Sequence, residues 1–278
     1  MSTQNALLTI LVEKINNDTL VLPTLPAIAL KVRKAADDPD INLNAMGDVI
    51  AQDPSLSARM IKIANSAYMG RAVKVNSINQ AVTRIGLRQI KNISTALAME
   101  QLFVSKNDIV SDYLKKEWAN TVNVVANSMA TMQNYVSRTK KRELSLDTMT
   151  LAALVYNIGV LPILTEAERH SEVFASPSFL EDAITKLSGR IGGKIMREWG
   201  FSDDFVAISE NWRDLSVLPE ATSYLDFVRV GAALSGQNDG QKDAVFNLAI
   251  QRGVIDDIKE LTSDDFSEMR ESARQIFA

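Results

Sequence analysis

The sequence predicts an all-α fold, a multi-helix bundle, on three observations. Apolar residues recur at three- and four-residue steps along almost all of its 278 residues. Glycine (12) and proline (7) are sparse, which disfavours disorder and a turn-rich β sandwich. No pair of segments alternates apolar and polar residues as two facing strands would, and neither a heptad array nor a fixed-period repeat is visible.

The elements follow in order. Leu7, Leu8, Leu11, Val12 and Ile15 form a first helical stripe. Pro26 opens a second helix as its first residue, where a missing N–H costs little, with Ile28, Ala29, Val32 and Ala36 inward. Asp53-Pro54 is a strong helix start, a capping carboxylate before the one position that tolerates proline. The helix behind it buries Leu56, Met60, Ile61 and Ile63, and Gly70 marks a turn. Ile78, Val82 and Ile85 form a short helix ended by Gly86, and Leu87, Ile90, Ile93, Leu97 and Leu102 continue as a long one.

Lys106-Asn107-Asp108 is a polar break, and the domain junction is placed there: an N-terminal helical part over 1–107 and a second helical part over 108–278. Leu114, Trp118, Val122, Val125, Met129 and Met132 then mark a long amphipathic helix, the spine of a bundle. A basic loop runs from Ser137 to Glu143, with Arg138, Lys140, Lys141 and Arg142. Leu151, Leu154, Val155 and Ile158 form a buried helix. Ser176-Pro177 repeats the cap-plus-proline start, and Ser202 precedes Asp203 and Asp204, which suit the positive end of a helix dipole. Leu225, Val228, Val230 and Leu234 form a helix stopped by Gly236. The last helix starts near Ser263 and carries Phe266, Met269, Ala273 and Ile276.

Composition removes much chemistry. With no cysteine there are no disulfides, thiolate metal sites or cysteine nucleophiles, which fits a reducing compartment. A zinc site needs several Cys or His ligands, and the single histidine, His170, lies in the charged stretch Glu166–Glu172, read as solvated surface. A net charge of −4 gives no electrostatic support to binding nucleic acid or an anionic membrane. Met1–Asn17 lacks the charged start and apolar stretch of a secretory signal. The run Leu151–Leu164 is shorter than the roughly 20 residues that span a bilayer. A cytoplasmic protein is expected.

Between Leu22 and Ala98 the sequence becomes specific. It carries Leu22-Pro23-Thr24-Leu25-Pro26, Ile50-Ala51-Gln52-Asp53-Pro54-Ser55-Leu56, Ile63-Ala64-Asn65-Ser66-Ala67-Tyr68, and Ile78-Asn79-Gln80-Ala81-Val82 with Ile85-Gly86. In this order and spacing it resembles the HDOD domain, a bacterial signalling module related to the HD phosphohydrolases. The same residues have local roles: Pro26, Asp53 and Pro54 start helices, Asn65 and Ser66 end one, and Gly86 lets the chain turn back.

The resemblance implies an HD-like second part, and it locates the metal site of the HD relatives. There a metal held by histidines and a His-Asp pair activates water for phosphoester hydrolysis. The matching positions here are Asn120, Tyr156 and Asn157 in place of the pair, Ser188, and Asn211-Trp212. A neutral amide is a weak donor, and a phenol must lose a proton of pKa about 10 to bind a metal. No metal, no cofactor and no catalytic residue are therefore expected. The acidic pairs Asp37-Asp38, Asp203-Asp204, Asp256-Asp257 and Asp264-Asp265 are read as caps and dipole partners rather than as Mg²⁺ ligands. Arg84, Arg88 and Lys91 share one helix face, solvated or else able to cradle a phosphate or an acidic partner.

The expected function is a non-catalytic regulatory module in signal transduction that binds protein partners. The partner groove would lie between the two parts, along Asp53–Tyr68. A divergent phosphohydrolase is one alternative. A sensor holding a small molecule or nucleotide in the vacated pocket is another.

Overall fold

The computed structural model describes residues 3–66, 69, 73–141, 143–169 and 177–277. Helices and turns account for the regular structure among these residues, and no strand occurs. The first half carries α1 (Thr3–Asn16), α2 (Ala27–Ala36), α3 (Leu43–Ala51), α4 (Pro54–Ala64), α5 (Ile78–Ile85) and α6 (Leu87–Ala98). Pro26 sits one place before its helix, as its N-cap rather than its first residue. Asp53 caps α4 by accepting from the Leu56 N–H at 2.9 Å, with Pro54 as the first helical residue. Gly86, at φ 87°, separates α5 from α6.

Asn65 does more than end α4. Its amide donates to the Val75 carbonyl and accepts from the Val75 N–H, both at 2.8 Å, so it ties the end of α4 to Val75. Tyr68 and Gly70 lie outside the described residues. The long helix expected from Leu87 ends at Ala98 and is completed by a 3-10 turn, Met99–Leu102.

Periodicity alone misses α3. Asn42 caps it, accepting from the Ala45 N–H at 3.0 Å. Gly47 breaks the apolar pattern, yet a Cβ there would lie 2.0 Å from Asn79 Oδ1, so the position is set by α5 and not by helix propensity.

The second half carries α7 (Asp108–Thr139), α8 (Leu146–Val155), α9 (Val160–Glu168), α10 (Pro177–Glu198), α11 (Asp203–Asn211), α12 (Tyr224–Leu234), α13 (Lys242–Gln251) and α14 (Asp264–Arg274). Asn107, in the expected polar break, caps α7 through the N–H groups of Ile109 and Val110 at 3.0 and 3.2 Å. The spine helix runs on to Thr139 and stops at Lys140 in the left-handed conformation (φ 59°). Arg138 therefore belongs to the helix and not to a basic loop. It donates to the carbonyls of Gly253 and Val254 at 2.9 and 3.1 Å and pairs with Asp256. Arg142, His170 and Ser176 lie outside the described residues. The apolar segment Leu146–Glu168 is long enough to cross a membrane, but 89% of its most apolar window is buried inside the fold.

One cluster of buried side chains runs from Leu11 to Phe277 through both halves. Several contacts cross the polar break. Lys14 pairs with Glu166 at 2.6 Å, Trp199 Nε1 donates to the Pro23 carbonyl at 3.0 Å, and Arg33 lies 4.2 Å over the Phe201 ring. Asn92 on α6 donates to Asp147 on α8 at 2.8 Å. Ile276 and Phe277 line the crevice between the parts together with Ile63, Ile93, Leu97 and Thr150. Ile276 and Phe277 thus close part of the groove expected along α4.

Candidate functional site

Four elements converge where the vacated positions were expected. Asn157 lies in the turn between α8 and α9, Ser188 on α10, and Trp212 at the end of α11. A close approach makes this convergence possible. A Cβ on Gly159 would lie 1.9 Å from the Ser188 carbonyl oxygen and 2.6 Å from the Gly192 nitrogen. Only glycine lets the turn that carries Asn157 rest directly on the backbone of α10. Gly192 in turn faces α11, where a Cβ would come within 3.1 Å of Ser209. Ser209 Oγ donates to the Val155 carbonyl at 3.1 Å and fixes α11 to the end of α8.

Two residues that the motif reading did not name complete the site. Arg213 Nη1 donates to Ser188 Oγ at 2.9 Å and to Asn157 Oδ1 at 3.4 Å. Its guanidinium stacks on the neighbouring indole, 3.8 Å from the Trp212 ring. Glu117 on α7 is hydrogen-bonded by the Asn157 side chain and faces Arg213. Asn157 thus bridges a carboxylate and a guanidinium. The Tyr156 ring is fully buried and meets Trp212 edge to face at 4.9 Å. Asn120 is half-buried one helical turn beyond Glu117 and makes no hydrogen bond to this cluster. Asn211 is turned away, its amide donating to the Ala207 carbonyl of its own helix at 3.0 Å.

The sequence held weak pointers to both missing members. Glu117 precedes Asn120 by three residues, and Arg213 follows the Asn211-Trp212 pair directly. A search for metal ligands passes over an arginine, which is why the pattern hid it.

The segment carrying Trp212 and Arg213 is itself held in place. Arg229, buried on α12, donates through Nη2 to the carbonyls of Asn211, Asp214 and Val217 at 3.0, 2.5 and 2.8 Å. Asp226 neutralises this corner, and Arg252 grips it at 2.6 and 3.1 Å.

Burial sets the charge states. It raises the Glu117 carboxyl above the ordinary range, with Arg213 and the Asn157 hydrogen bond opposing. It lowers Arg213 to about 10, against the pull of Tyr156 and Glu117. Arg213 is therefore a cation at neutral pH. Burial, and then Glu117, push the Tyr156 phenol up, so it stays protonated. A carboxyl whose folded pKa is raised binds its proton more tightly in the native state. Glu117 thus favours folding below the ordinary carboxylate pKa, and that contribution disappears as pH rises through the raised value. Glu117→Gln should flatten this part of the stability–pH curve, read from urea midpoints between pH 4 and 8.

Tyr156 Oη and Trp212 Nε1 are buried without a partner. Removing an unpaired buried hydroxyl recovers its desolvation cost. Tyr156→Phe should leave stability within about 1 kcal/mol of wild type or raise it. A larger loss in urea unfolding would reveal a partner bound to the hydroxyl.

These residues do not fit a catalytic metal. Among the described residues no three or more His, Cys, Asp or Glu come together as a ligand group. The cluster offers one carboxylate, a neutral amide and a hydroxyl, and a permanent guanidinium charge already bonds the last two. The acidic pairs serve locally: Asp37 meets Lys91, and Asp257 accepts from the Lys259 N–H at 2.8 Å. The expected single cationic face does not form on one helix: Arg84 lies on α5 and Arg88 and Lys91 on α6, with the Gly86 break between them. Arg84 donates to the carbonyls of Ala64 (3.0 Å) and Val73 (2.5 Å), and Lys91 reaches Asp37 at 2.5 Å. Arg88 alone of the three is exposed without such a tie.

Comparison with known proteins agrees with this architecture. The pattern of the HDOD domain matches residues 22–214. The crystal structure of a candidate metal-dependent phosphohydrolase from Shewanella amazonensis SB2B shares 38% identity and a TM-score of 0.93 over 100% of both chains. An HDOD domain protein of unknown function from Geobacter sulfurreducens shares the fold at 18% identity, with a TM-score of 0.66 over 98% of this chain and 99% of that one. A candidate signal transduction protein from Marinobacter aquaeolei VT8 does so at 20% identity and a TM-score of 0.64, over 99% of this chain and 65% of that one. An uncharacterized protein of Treponema pallidum (strain Nichols) is 31% identical over 87 residues, which are 31% of this chain and only 17% of that protein. Motifs, helical architecture and the match over 22–214 agree, and the chain belongs to the HDOD domain family.

Proposed function

We propose that this chain is a non-catalytic regulatory module of signal transduction that acts in the cytoplasm by binding other proteins. The observation that carries this reading is Arg213, bonded to Asn157 and Ser188 where hydrolysis would need a metal and its water. A zinc or magnesium site activates water by lowering its pKa, and a guanidinium beside the same atoms repels the ion that would do so. Of the remaining groups, Tyr156 holds its proton, and the one carboxyl, Glu117, is bonded by Asn157 and faces Arg213. Among the described residues, no metal-ligand group beside Glu117 would hold a water for it to activate.

The Shewanella relative is named for metal-dependent phosphohydrolysis, so the rival activity has to be measured. Purified protein should hydrolyse neither phosphomonoesters nor phosphodiesters above background with Mg²⁺ or Mn²⁺. Metal-stimulated turnover that disappears in Asn157→Ala would overturn the proposal. The sensor alternative has little support, because Tyr156, Ser188 and Trp212 are packed into the core and a ligand would have to displace them. A nucleotide panel should leave the melting temperature unchanged, since a ligand at 100 times its Kd would add about 2.7 kcal/mol. For partner binding, Arg88 is the available cation on its face, and Arg88→Glu tests that surface without removing an internal contact.

A further inference from the structure

We propose that the Arg213 guanidinium is an internal cross-linking cation, seated in a site built for a planar organic cation and not for a metal ion. This deepens the non-catalytic reading and rests on it. Three independent recognition elements meet at one group. Ser188 Oγ at 2.9 Å and Asn157 Oδ1 at 3.4 Å accept from Nη1. The guanidinium carbon lies over the Trp212 ring, 3.8 Å from its centroid. Glu117, held by the Asn157 side chain, faces the guanidinium and offsets its charge when ionised. Acceptors at the edge, an aromatic face and a nearby carboxylate are what a guanidinium recognises. A divalent ion wants several oxygens around it and gains nothing from the indole.

The four groups come from four places in the chain: α7, the α8–α9 turn, α10 and the end of α11. A single cation therefore ties together elements far apart in sequence, the structural task that a bound metal performs in a metalloprotein. Ser188 is 1% exposed and Trp212 2% exposed, so the groups that receive the guanidinium are buried ones.

Emptying the seat tests the proposal. Arg213→Ala should lower the melting temperature by about 5 °C or more, since roughly 1 kcal/mol moves a domain of this size by about 2–4 °C. Ethylguanidinium at low millimolar concentration, well below its denaturing range, should return at least half of that shift. Equal concentrations of ethylammonium, Mg²⁺ or Mn²⁺ should return little. In Glu117→Gln/Arg213→Ala the rescue should weaken several-fold. Arg213→Lys keeps the charge without the planar fork and should melt clearly below wild type. Where Arg213→Ala does not fold, the same compounds are compared by refolding yield. Rescue by a divalent ion instead of ethylguanidinium, no rescue by any compound, or an Arg213→Lys variant as stable as wild type would overturn the proposal. Metal-dependent turnover in the wild-type protein would sink the non-catalytic reading alone, so the two failures are distinguishable.

Discussion

Gly159→Ala is expected to be among the most damaging single-methyl additions to this fold. The new Cβ would lie 1.9 Å from the Ser188 carbonyl oxygen, 2.8 Å from its carbon and 2.6 Å from the Gly192 nitrogen. All three are backbone atoms inside α10, so no rotamer change relieves the clash. Gly159 has an ordinary φ of −66°, which leaves crowding as the whole effect. Overfilling a packed core typically costs 1–3 kcal/mol. With only the backbone of α10 to give way, the loss should reach about 3 kcal/mol or more, a fall in melting temperature on the order of 10 °C. Gly240→Ala is the control: its Cβ meets nothing within 4 Å, and the melting temperature should not move. A Gly159→Ala protein within about 0.5 kcal/mol of wild type in urea would mean that α9 and α10 do not meet this closely. The expected loss concerns the site directly. Separating the α8–α9 turn from α10 separates Asn157 from Ser188, the two groups that Arg213 joins.

The same contact shows what was legible in the sequence. Most helices were, because each buries an apolar stripe and several announce their starts: Asp53-Pro54, and Ser263 before Asp264, whose hydroxyl accepts from the Phe266 N–H at 3.2 Å. Three helices were not. One is α9, hidden in the apolar run behind α8; its Glu166, in the stretch read as solvated surface, is 4% exposed. In α3, Gly47 breaks the stripe for the sake of a neighbour remote in sequence. In α13 only Val245, Phe246 and Ala249 are buried, too few to stand out from the polar residues around them. The candidate site was half legible. A family motif located Tyr156, Asn157, Ser188 and Trp212 because it fixes positions along the chain. It did not locate Glu117 or Arg213, whose importance comes from what lies beside them in space. The cationic face fared worse: Gly86 puts Arg84 on α5 and Arg88 and Lys91 on α6, and two of the three already hold carbonyls or a carboxylate. Asn211 and Asn120 share the limitation: their place in the motif gives no side-chain direction.

Asp226→Ala should be comparably severe, for an electrostatic reason. Asp226 is 4% exposed. Its carboxylate receives Arg252 through two bonds at 2.6 and 3.1 Å and also accepts from the Ser223 N–H at 2.9 Å, which closes the capping box of α12. It also offsets the charge of Arg229, 2% exposed, whose Nε and Nη1 have no partner of their own. Truncation leaves two guanidinium groups without their shared counter-charge and an uncapped helix start. Removing one member of a buried pair costs about 3–5 kcal/mol, chiefly through the uncompensated survivor. Asp226→Asn keeps the shape and part of the cap, so it should fall between wild type and alanine. In a double-mutant cycle, Asp226→Ala with Arg252→Met should lose less than the sum of the single changes, by more than about 1 kcal/mol. Strict additivity would show that the pair is not coupled. The damage should also reach the cluster 13 residues upstream. Arg229 holds the carbonyls of Asn211, Asp214 and Val217 only while its charge is balanced. Once that segment loosens, Arg213 is no longer presented to Asn157 and Ser188. Arg213→Ala should then cost less in the Asp226→Ala background than in wild type, because the cross-link it removes has already been slackened from the other side of α12.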